Sequence, residues 1–248
     1  MLLKNKNIFI SGAGKGIGFA LTLEALKEGA FVYALIRSRK DGKKFKNLRN
    51  IKIFYGDIKN NQLIKKIILQ SIKDKKEISG VVNNAGIRQR LDFNKIRYND
   101  LKKIFENNFF SVFFVMQLFA KYFIKYKVPG SIVNLGSIVG KLGFKQLSGY
   151  ASTKSALDGL SRSLAIELSA NNIRVNNICP GYIKTMMTEE SFKSPQKNKE
   201  RLDNMIIKRW GLPEDLIGPV AFLLSEASAY ITGSDIYVDG GWISNGGL

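Results

Sequence analysis

The run SGAGKGIG, Ser11 to Gly18, decides the fold. It follows a short apolar run, Asn7 to Ser11, and opens an amphipathic stretch through Ala20, Leu23 and Leu26. Glycines stand at 12, 14, 16 and 18. Glycine lets a backbone turn sharply and approach a pyrophosphate closely, and the free N–H groups and positive end of the following helix then stabilise that charge. An ordinary strand-to-helix turn is the bland alternative, but it does not need four glycines at alternate positions. Gly12, Gly14, Lys15, Gly16, Ile17 and Gly18 are therefore candidate contacts for a dinucleotide.

Outward from this turn, short apolar runs alternate with longer amphipathic ones, the pattern of βα units on a parallel sheet. Strands are expected at Asn7 to Ser11, Phe31 to Ile36, Ile51 to Tyr55, Gly80 to Asn83, Ser131 to Gly136, Arg174 to Ile178 and Asp235 to Val238. Helices are expected at Gly16 to Glu28, Asn60 to Lys73, Asn99 to Tyr126, Gly149 to Ala170 and Pro213 to Ser225. No linker or repeat interrupts the series, so residues 1–248 read as a single Rossmann-type α/β domain. Residues 186–210 stand apart: the stretch is charged, holds Pro195 and has no strand of its own. A stretch of that length between sheet elements is more often functional than idle.

The bulk composition narrows the chemistry. Hydrophobic residues are 45% and charged residues 24% of the 248, as in an ordinary globular chain. No apolar run approaches the roughly 20 residues that cross a bilayer, and the start passes straight into strand and glycine turn, so a cytoplasmic protein without a membrane partner is expected. The single Cys179 forms no intramolecular disulfide. With no histidine, the usual zinc sets and any Ser-His or Cys-His pair are excluded, and no metal is expected. The net charge of +19 invites a nucleic-acid hypothesis. However, the lysines are spread along the chain, concentrated only at Arg37 to Lys46 and Lys193 to Arg201, and the reading is solvated surface without a nucleic-acid partner.

The end of the second strand selects the cofactor. An acidic residue there suits the ribose 2′-hydroxyl of NAD, whereas a cation suits the 2′-phosphate of NADP. This chain has Arg37, Ser38 and Arg39, with Lys15 nearby and no carboxylate expected to repel the phosphate. NADP(H) is expected over NAD; solvated loop arginines are the alternative.

Tyr150 and Lys154 lie one helical turn apart on one helix face. A free phenol, with a pKa near 10, is a poor acid or base at neutral pH, and a nearby ammonium is expected to lower it into working range. Taken alone, a Tyr and a Lys four apart read as surface helix residues far more often than as a site. Ser137, at the end of a predicted strand where α/β ligands sit, favours the functional reading.

The glycine turn, NNAG at Asn83 to Gly86, Ser137, and Tyr150 with Lys154 together resemble the short-chain dehydrogenase/reductase family over essentially the whole chain. The resemblance implies a seven-stranded parallel sheet of order 3-2-1-4-5-6-7 with helices on both faces. It implies a homotetramer or homodimer built on the long helices. It also implies an oxidoreductase interconverting a ketone and a secondary alcohol, with Tyr150 as proton donor or acceptor, Ser137 holding the substrate oxygen, and Asn108 holding a water that links Lys154 to solvent. Phe109 and Ser111 depart from the family pattern beside Asn108. Asp57, with Ile58, resembles the adenine contact; Asn83, Asn84, Ala85 and Gly86 resemble the segment along the adenosine ribose; Pro180, Gly181, Ile183 and Thr185 resemble the loop beside the nicotinamide. Residues 186–210 take the place of the family's substrate lid.

Within the family, GIRQR at Gly86 to Arg90 and PGYIKTMMT at Pro180 to Thr188 resemble the gluconate 5-dehydrogenase branch. Arg88 or Arg90, just past the fourth strand, is placed to pair with a substrate carboxylate; solvated surface arginines are the alternative. The substrate is then a sugar acid or related polyol. A 3-oxoacyl-carrier-protein reductase is the rival, and a basic surface would suit an acidic carrier. A third reading, a catalytically idle NADP-binding interaction protein, has no need of an intact Ser137, Tyr150 and Lys154.

Overall fold

Strands buried on both faces must be apolar along both of their sides. All seven predicted runs join one all-parallel sheet, the five inner ones largely buried and the two at its edges only partly. The computed structural model describes residues 1–245. The chain runs β1 (Asn7–Ser11), α1 (Gly16–Lys27), β2 (Phe31–Ile36), a one-turn α2 (Arg39–Gly42), β3 (Ile51–Tyr55), α3 (Asn61–Lys73) and β4 (Gly80–Asn83). It continues through α4 (Tyr98–Phe105), α5 (Ser111–Tyr126), β5 (Gly130–Leu135), α6 (Ser148–Leu168), β6 (Ile173–Pro180), α7 (Glu189–Lys193), α8 (Pro195–Asn204), α9 (Ile217–Leu224) and β7 (Asp235–Val238). The strand order is β3-β2-β1-β4-β5-β6-β7, the order implied by the family resemblance.

The period-two alternation of the strands divides the core. Ile8, Ile10, Val82 and Val133 face one side, where α1 and α9 supply Leu21, Val220 and Leu224. Phe9, Val81, Ile132 and Val175 face the other, against Ile64, Val115, Phe119 and Leu157 of α3, α5 and α6. Because β1 pairs with β2 on one side and β4 on the other, the chain changes direction at the β1/β4 boundary, and the carboxyl ends of these strands open into a crevice.

Element boundaries shift by a residue or two from expectation, with three physical causes. Asn60 is the cap of α3 rather than its first residue, its side chain accepting from Leu63 N–H at 3.0 Å. The last predicted helix opens as a 3₁₀ turn, Pro213–Leu216, before α9. The stretch expected as one helix from Asn99 to Tyr126 is broken by a π turn, Glu106–Phe110, between α4 and α5, and π turns gather at functional sites.

That combined run corrects a second expectation. From Tyr98 to Tyr126 it is long and apolar enough to cross a bilayer by length and composition. Its residues Val112, Val115, Met116, Phe119 and Phe123 are nevertheless buried in the core against the sheet, which is the position of a core helix. Residues 186–210 hold α7 and α8, which periodicity did not reveal, and an isolated parallel bridge, Ile183 to Gly211, ties the base of the segment.

Candidate active site

The glycine turn forms one wall of the cleft. Gly12 has φ +65 and Gly16 has φ +50, where other residues are strained. A β-carbon on Gly18 would lie 2.3 Å from the Gly12 carbonyl oxygen, so Gly18 lets helix and turn pack together and is not itself a cleft residue. Lys15, the N-cap of α1, makes no side-chain capping hydrogen bond, so the first turn's N–H groups have no cap of their own. An uncapped helix end behind a glycine cradle fits a bound pyrophosphate. The opposite side of the turn is fixed by Asn84, whose side-chain amide donates to the Ser11 and Gly12 carbonyls at 3.0 and 3.1 Å.

The cleft encloses about 470 Å³. Gly12, Gly14, Lys15, Gly16, Ile17, Arg37, Ser38, Asp57, Ile58, Asn84, Ala85, Gly86, Tyr150, Lys154, Pro180, Gly181, Ile183 and Thr185 all line it, as does Ser137. The adenosine end is where the expectation needs correction, because a carboxylate is present. Asp41 lies buried under Gly14, 3.5 Å from Lys15 Nζ and 3.9 Å from Lys44 Nζ. Its helical turn follows the strand end too irregularly for the sequence to place it in the cleft. Two lysines neutralise it, and with Arg37 also present the corner keeps a net positive charge.

At the other end α6 carries Tyr150 and Lys154, and the loop after β5 carries Ser137. Tyr150 is partly open to the cleft and shares its far end with Ser137, whose hydroxyl accepts from Val139 N–H at 3.1 Å. Lys154 is 7% exposed; its Nζ donates to the Leu135 carbonyl at 2.6 Å and lies 5.7 Å from the Tyr150 ring centre. Burial brings Lys154 down to about 8. The expected lowering of Tyr150 by this lysine is not what the geometry gives. Burial raises the phenol, while the Ser137 hydrogen bond and the Arg88 charge pull only partly the other way. The lysine's proton is spent on a backbone carbonyl, and desolvation outweighs what remains. The pair thus presents a neutral phenol beside an ammonium, a set able to donate a proton at neutral pH.

Asn108 sits in the π turn, buried behind the cleft rather than lining it; Asn107 is the neighbour that lines it. Its side chain accepts from Ile87 N–H at 2.8 Å, donates to Ile87 O at 2.8 Å, and lies 3.4 Å from Thr153 Oγ1. It thereby pins the segment carrying Gly86 to Arg90 against α6. Asp57 turns back to accept from Lys59 N–H at 2.9 Å.

Residues beyond those picked out by motif complete the substrate end: Phe144, Leu147, Tyr182, Met186 and Met187 line it, together with Arg88 and Arg90. Arg88 is half-buried and held below its ordinary range by desolvation and by the charge of Arg90. The Arg90 Nε is buried without a partner. Tyr182, Met186 and Met187 lie inside the quoted loop Pro180 to Thr188, and Arg88 and Arg90 inside Gly86 to Arg90; Phe144 and Leu147 carried no sequence signal and are brought to the cleft by the fold alone.

A nucleotide-fitted crevice at the switch point of a parallel sheet, with serine, tyrosine and lysine at its far end, defines a Rossmann-type oxidoreductase. The comparisons agree. A family model described as enoyl-(acyl carrier protein) reductase matches residues 12–243. The L-xylulose reductase of Caenorhabditis elegans is 34% identical over 246 residues, 97% of each chain. The 3-oxoacyl-[acyl-carrier-protein] reductase of Thermotoga maritima is 34% identical over 249 residues, 98% of this chain and 100% of that one. Among solved structures, a gluconate 5-dehydrogenase from Burkholderia cenocepacia J2315 in complex with NADP and tartrate superposes with TM-score 0.90 at 25% identity, covering 97% of this chain and 96% of that one. The chain belongs to the short-chain dehydrogenase/reductase family and is an oxidoreductase acting on CH–OH groups.

Proposed function

We propose that this oxidoreductase uses NADP(H) to interconvert a ketone and a secondary alcohol on a small polyhydroxylated substrate bearing a carboxylate. The observation that carries the substrate class is the pair Arg88 and Arg90. Two like charges share a half-buried wall, one with a buried Nε lacking a partner, and a substrate carboxylate relieves both the repulsion and the unmet donor. The positive corner of Lys15, Arg37 and Lys44, with Ser38, supports NADP over NAD. The solved gluconate 5-dehydrogenase, described with NADP and a hydroxylated dicarboxylate, supports both parts.

When bound, NADP(H) supplies or takes up the hydride. Tyr150 donates the proton to the developing alkoxide in reduction and accepts it in oxidation. Ser137, lining the same end of the cleft, holds the substrate oxygen near the phenol. Lys154 keeps a positive charge beside the phenol, and Asn108 holds the Gly86 to Arg90 segment at the right distance from α6. Gly12, Gly14, Gly16 and Ile17 hold the pyrophosphate; Asp57, Ile58, Asn84, Ala85 and Gly86 hold the adenosine; Pro180, Gly181, Ile183 and Thr185 flank the nicotinamide.

Residues 186–210 act as the lid. Its far end is anchored by Trp210, which packs edge-on to Tyr182 and Phe192 and donates to Asn198 at 2.6 Å, whereas Met186 and Met187 at the near end are exposed over the cleft. Closure excludes water from the reacting atoms.

The test is turnover with NADPH across ketogluconates, neutral ketoses and acyl thioesters. Carboxylated ketoses are expected to be preferred, and Arg88→Leu is expected to raise their KM about 10- to 100-fold, the worth of a charge-assisted contact, while sparing neutral ketoses. Saturating NADP with substrate is expected to protect 186–210 from proteolysis. Turnover of acyl thioesters alone transfers the reading to a 3-oxoacyl-carrier-protein reductase, and tight NADPH binding without any turnover transfers it to an idle binder.

Self-association belongs to the same reading. Phe110, Phe113 and Phe114 of the α4–α5 run and Ile166 of α6 are exposed although large and apolar, which a second copy of the chain would cover. Light scattering is expected to give four times 27.8 kDa, and Phe113→Glu with Phe114→Glu to lower it. A monomeric mass for the native chain would end this part.

A further inference from the structure

A buried row of polar side chains crosses the sheet beneath the cleft. Asn83, Asn134, Asn177 and Asp235 are register partners on β4, β5, β6 and β7. Asn83 donates to Asn134 at 2.8 Å, Asn134 to Asn177 at 3.3 Å, and Asn177 to Asp235 at 2.7 Å. The same Asn177 nitrogen lies 3.4 Å from Asp158 Oδ1, while its oxygen accepts from Ser161 at 2.7 Å, which fixes the amide's orientation. Asp158, Asp235 and Cys179 bring their side-chain heteroatoms within 4.8 Å of one another. A cation there would face the Asn177 N–H donors, so the cluster is built to hold negative charge against an amide, not to ligate a metal.

Asp158 lies one helical turn beyond Lys154 on α6. Its carboxylate fills the space behind the loop that carries Ser137: Oδ1 is 3.6 Å from where a β-carbon on Gly136 would stand, and Oδ2 2.8 Å from that on Gly140. The adjoining Leu135 carbonyl receives the Lys154 ammonium at 2.6 Å. One loop is thus gripped by the lysine on one side and backed by the carboxylate on the other. Resting on the oxidoreductase reading above, we propose that Asp158 is a positioning residue: its buried charge keeps Lys154 an ammonium and backs the Ser137 loop.

The groups facing Asp158 are Lys154 and Arg162 on α6, Lys141 after the Ser137 loop, Cys179 on β6, and Asp235 and Tyr237 on β7. Burial, then Asp235, pushes Asp158 up to about 6, so it is ionised at neutral pH and above. Burial pushes Cys179 up to about 12, leaving a neutral thiol that adds no charge. Arg162 lies 3.9 Å from Asp235 and its charge also bears on Asp158, with that of Lys154 after it. Cys179 and then Asp158 oppose the desolvation of Lys154; with the thiol neutral at working pH, Asp158 is the one of the two that carries a negative charge there.

The test uses the full chain with NADP(H), in native form and as Asp158→Asn and Asp235→Asn. The Lys154 titration is followed by NMR of lysine labelled at Cε, its signal identified by its loss in Lys154→Met. Asp158→Asn is expected to lower the Lys154 midpoint by about one pH unit, the scale of a nearby opposite charge, and to move the alkaline limb of kcat for reduction down equally. Asp235→Asn is expected to leave the Lys154 midpoint in place, because Asp158 remains ionised. An unchanged midpoint in Asp158→Asn, or an equal shift in both variants, overturns the proposal. Where Asp158→Asn fails to fold, Asp158→Ser carries the same expectation. A native chain that turns over nothing refutes the oxidoreductase reading on that panel, yet the NMR midpoint still decides the role of Asp158.

Discussion

Tyr150→Phe is expected to cut kcat for ketone reduction by about 10³-fold, within the range that a positioned general acid contributes. The change removes one oxygen, on the cleft side near Ser137, and leaves the ring in its place on α6. NADPH binding, which the proposed reading assigns mainly to the glycine turn and the Arg37 corner, should fall far less than turnover. The pH dependence carries a second signature. Burial raises the phenol, so it stays protonated through neutral pH and is ready to donate. Lys154, brought down to about 8, loses its charge as pH rises through that value. Reduction is therefore expected to be flat below about 8 and to decline above it, while oxidation, which needs the phenol to accept a proton, rises with pH until the lysine is lost. Stopped-flow absorbance at the nicotinamide band checks both. A Phe variant turning over at the native rate would remove Tyr150 from the chemistry.

The parts legible in the sequence are those fixed by local rules. SGAGKGIG is readable because glycine, a preceding strand and a following helix each leave their own mark within a few residues. Tyr150 and Lys154 are readable because helical spacing alone sets them on one face. What was not readable depends on distance in space. Asp41 looks like a loop residue until its turn folds under Gly14. The direction of the Tyr150 shift depends on burial and on the carbonyl of Leu135, and neither has a sequence signature. The π turn at Glu106–Phe110 keeps helical spacing nearly intact, so periodicity passes through it; its effect is to turn Asn108 away from the cleft and onto the backbone of Ile87. The row from Asn83 to Asp235 is invisible for the same reason, since strand register across a parallel sheet is set by crossover helices far from any one strand.

Arg37→Ala is expected to raise the KM for NADPH about 10- to 100-fold while leaving that for NADH nearly unchanged, collapsing the preference between them. The size follows from the loss of a hydrogen bond to a charged group, about 1.5–3 kcal/mol, where each 1.4 kcal/mol is tenfold. The effect belongs to Arg37 more than to its neighbours. Lys15 and Lys44 share the charge of Asp41, and Lys44 also reaches the Gly14 carbonyl at 3.4 Å, while Arg39 stacks on Tyr55 at 5.1 Å. Arg37 is exposed at the cleft edge, appears in no ion pair among the described residues, and has the planar fork that matches a phosphate. An Asp41→Asn variant sharpens the argument: freeing Lys15 and Lys44 from their shared anion should tighten NADPH and not NADH. Steady-state kinetics with both cofactors at low ionic strength reads all four combinations, and salt should narrow every difference. An Arg37→Ala enzyme with its NADPH preference intact would move the 2′-phosphate away from this corner and leave the cofactor choice to another part of the cleft.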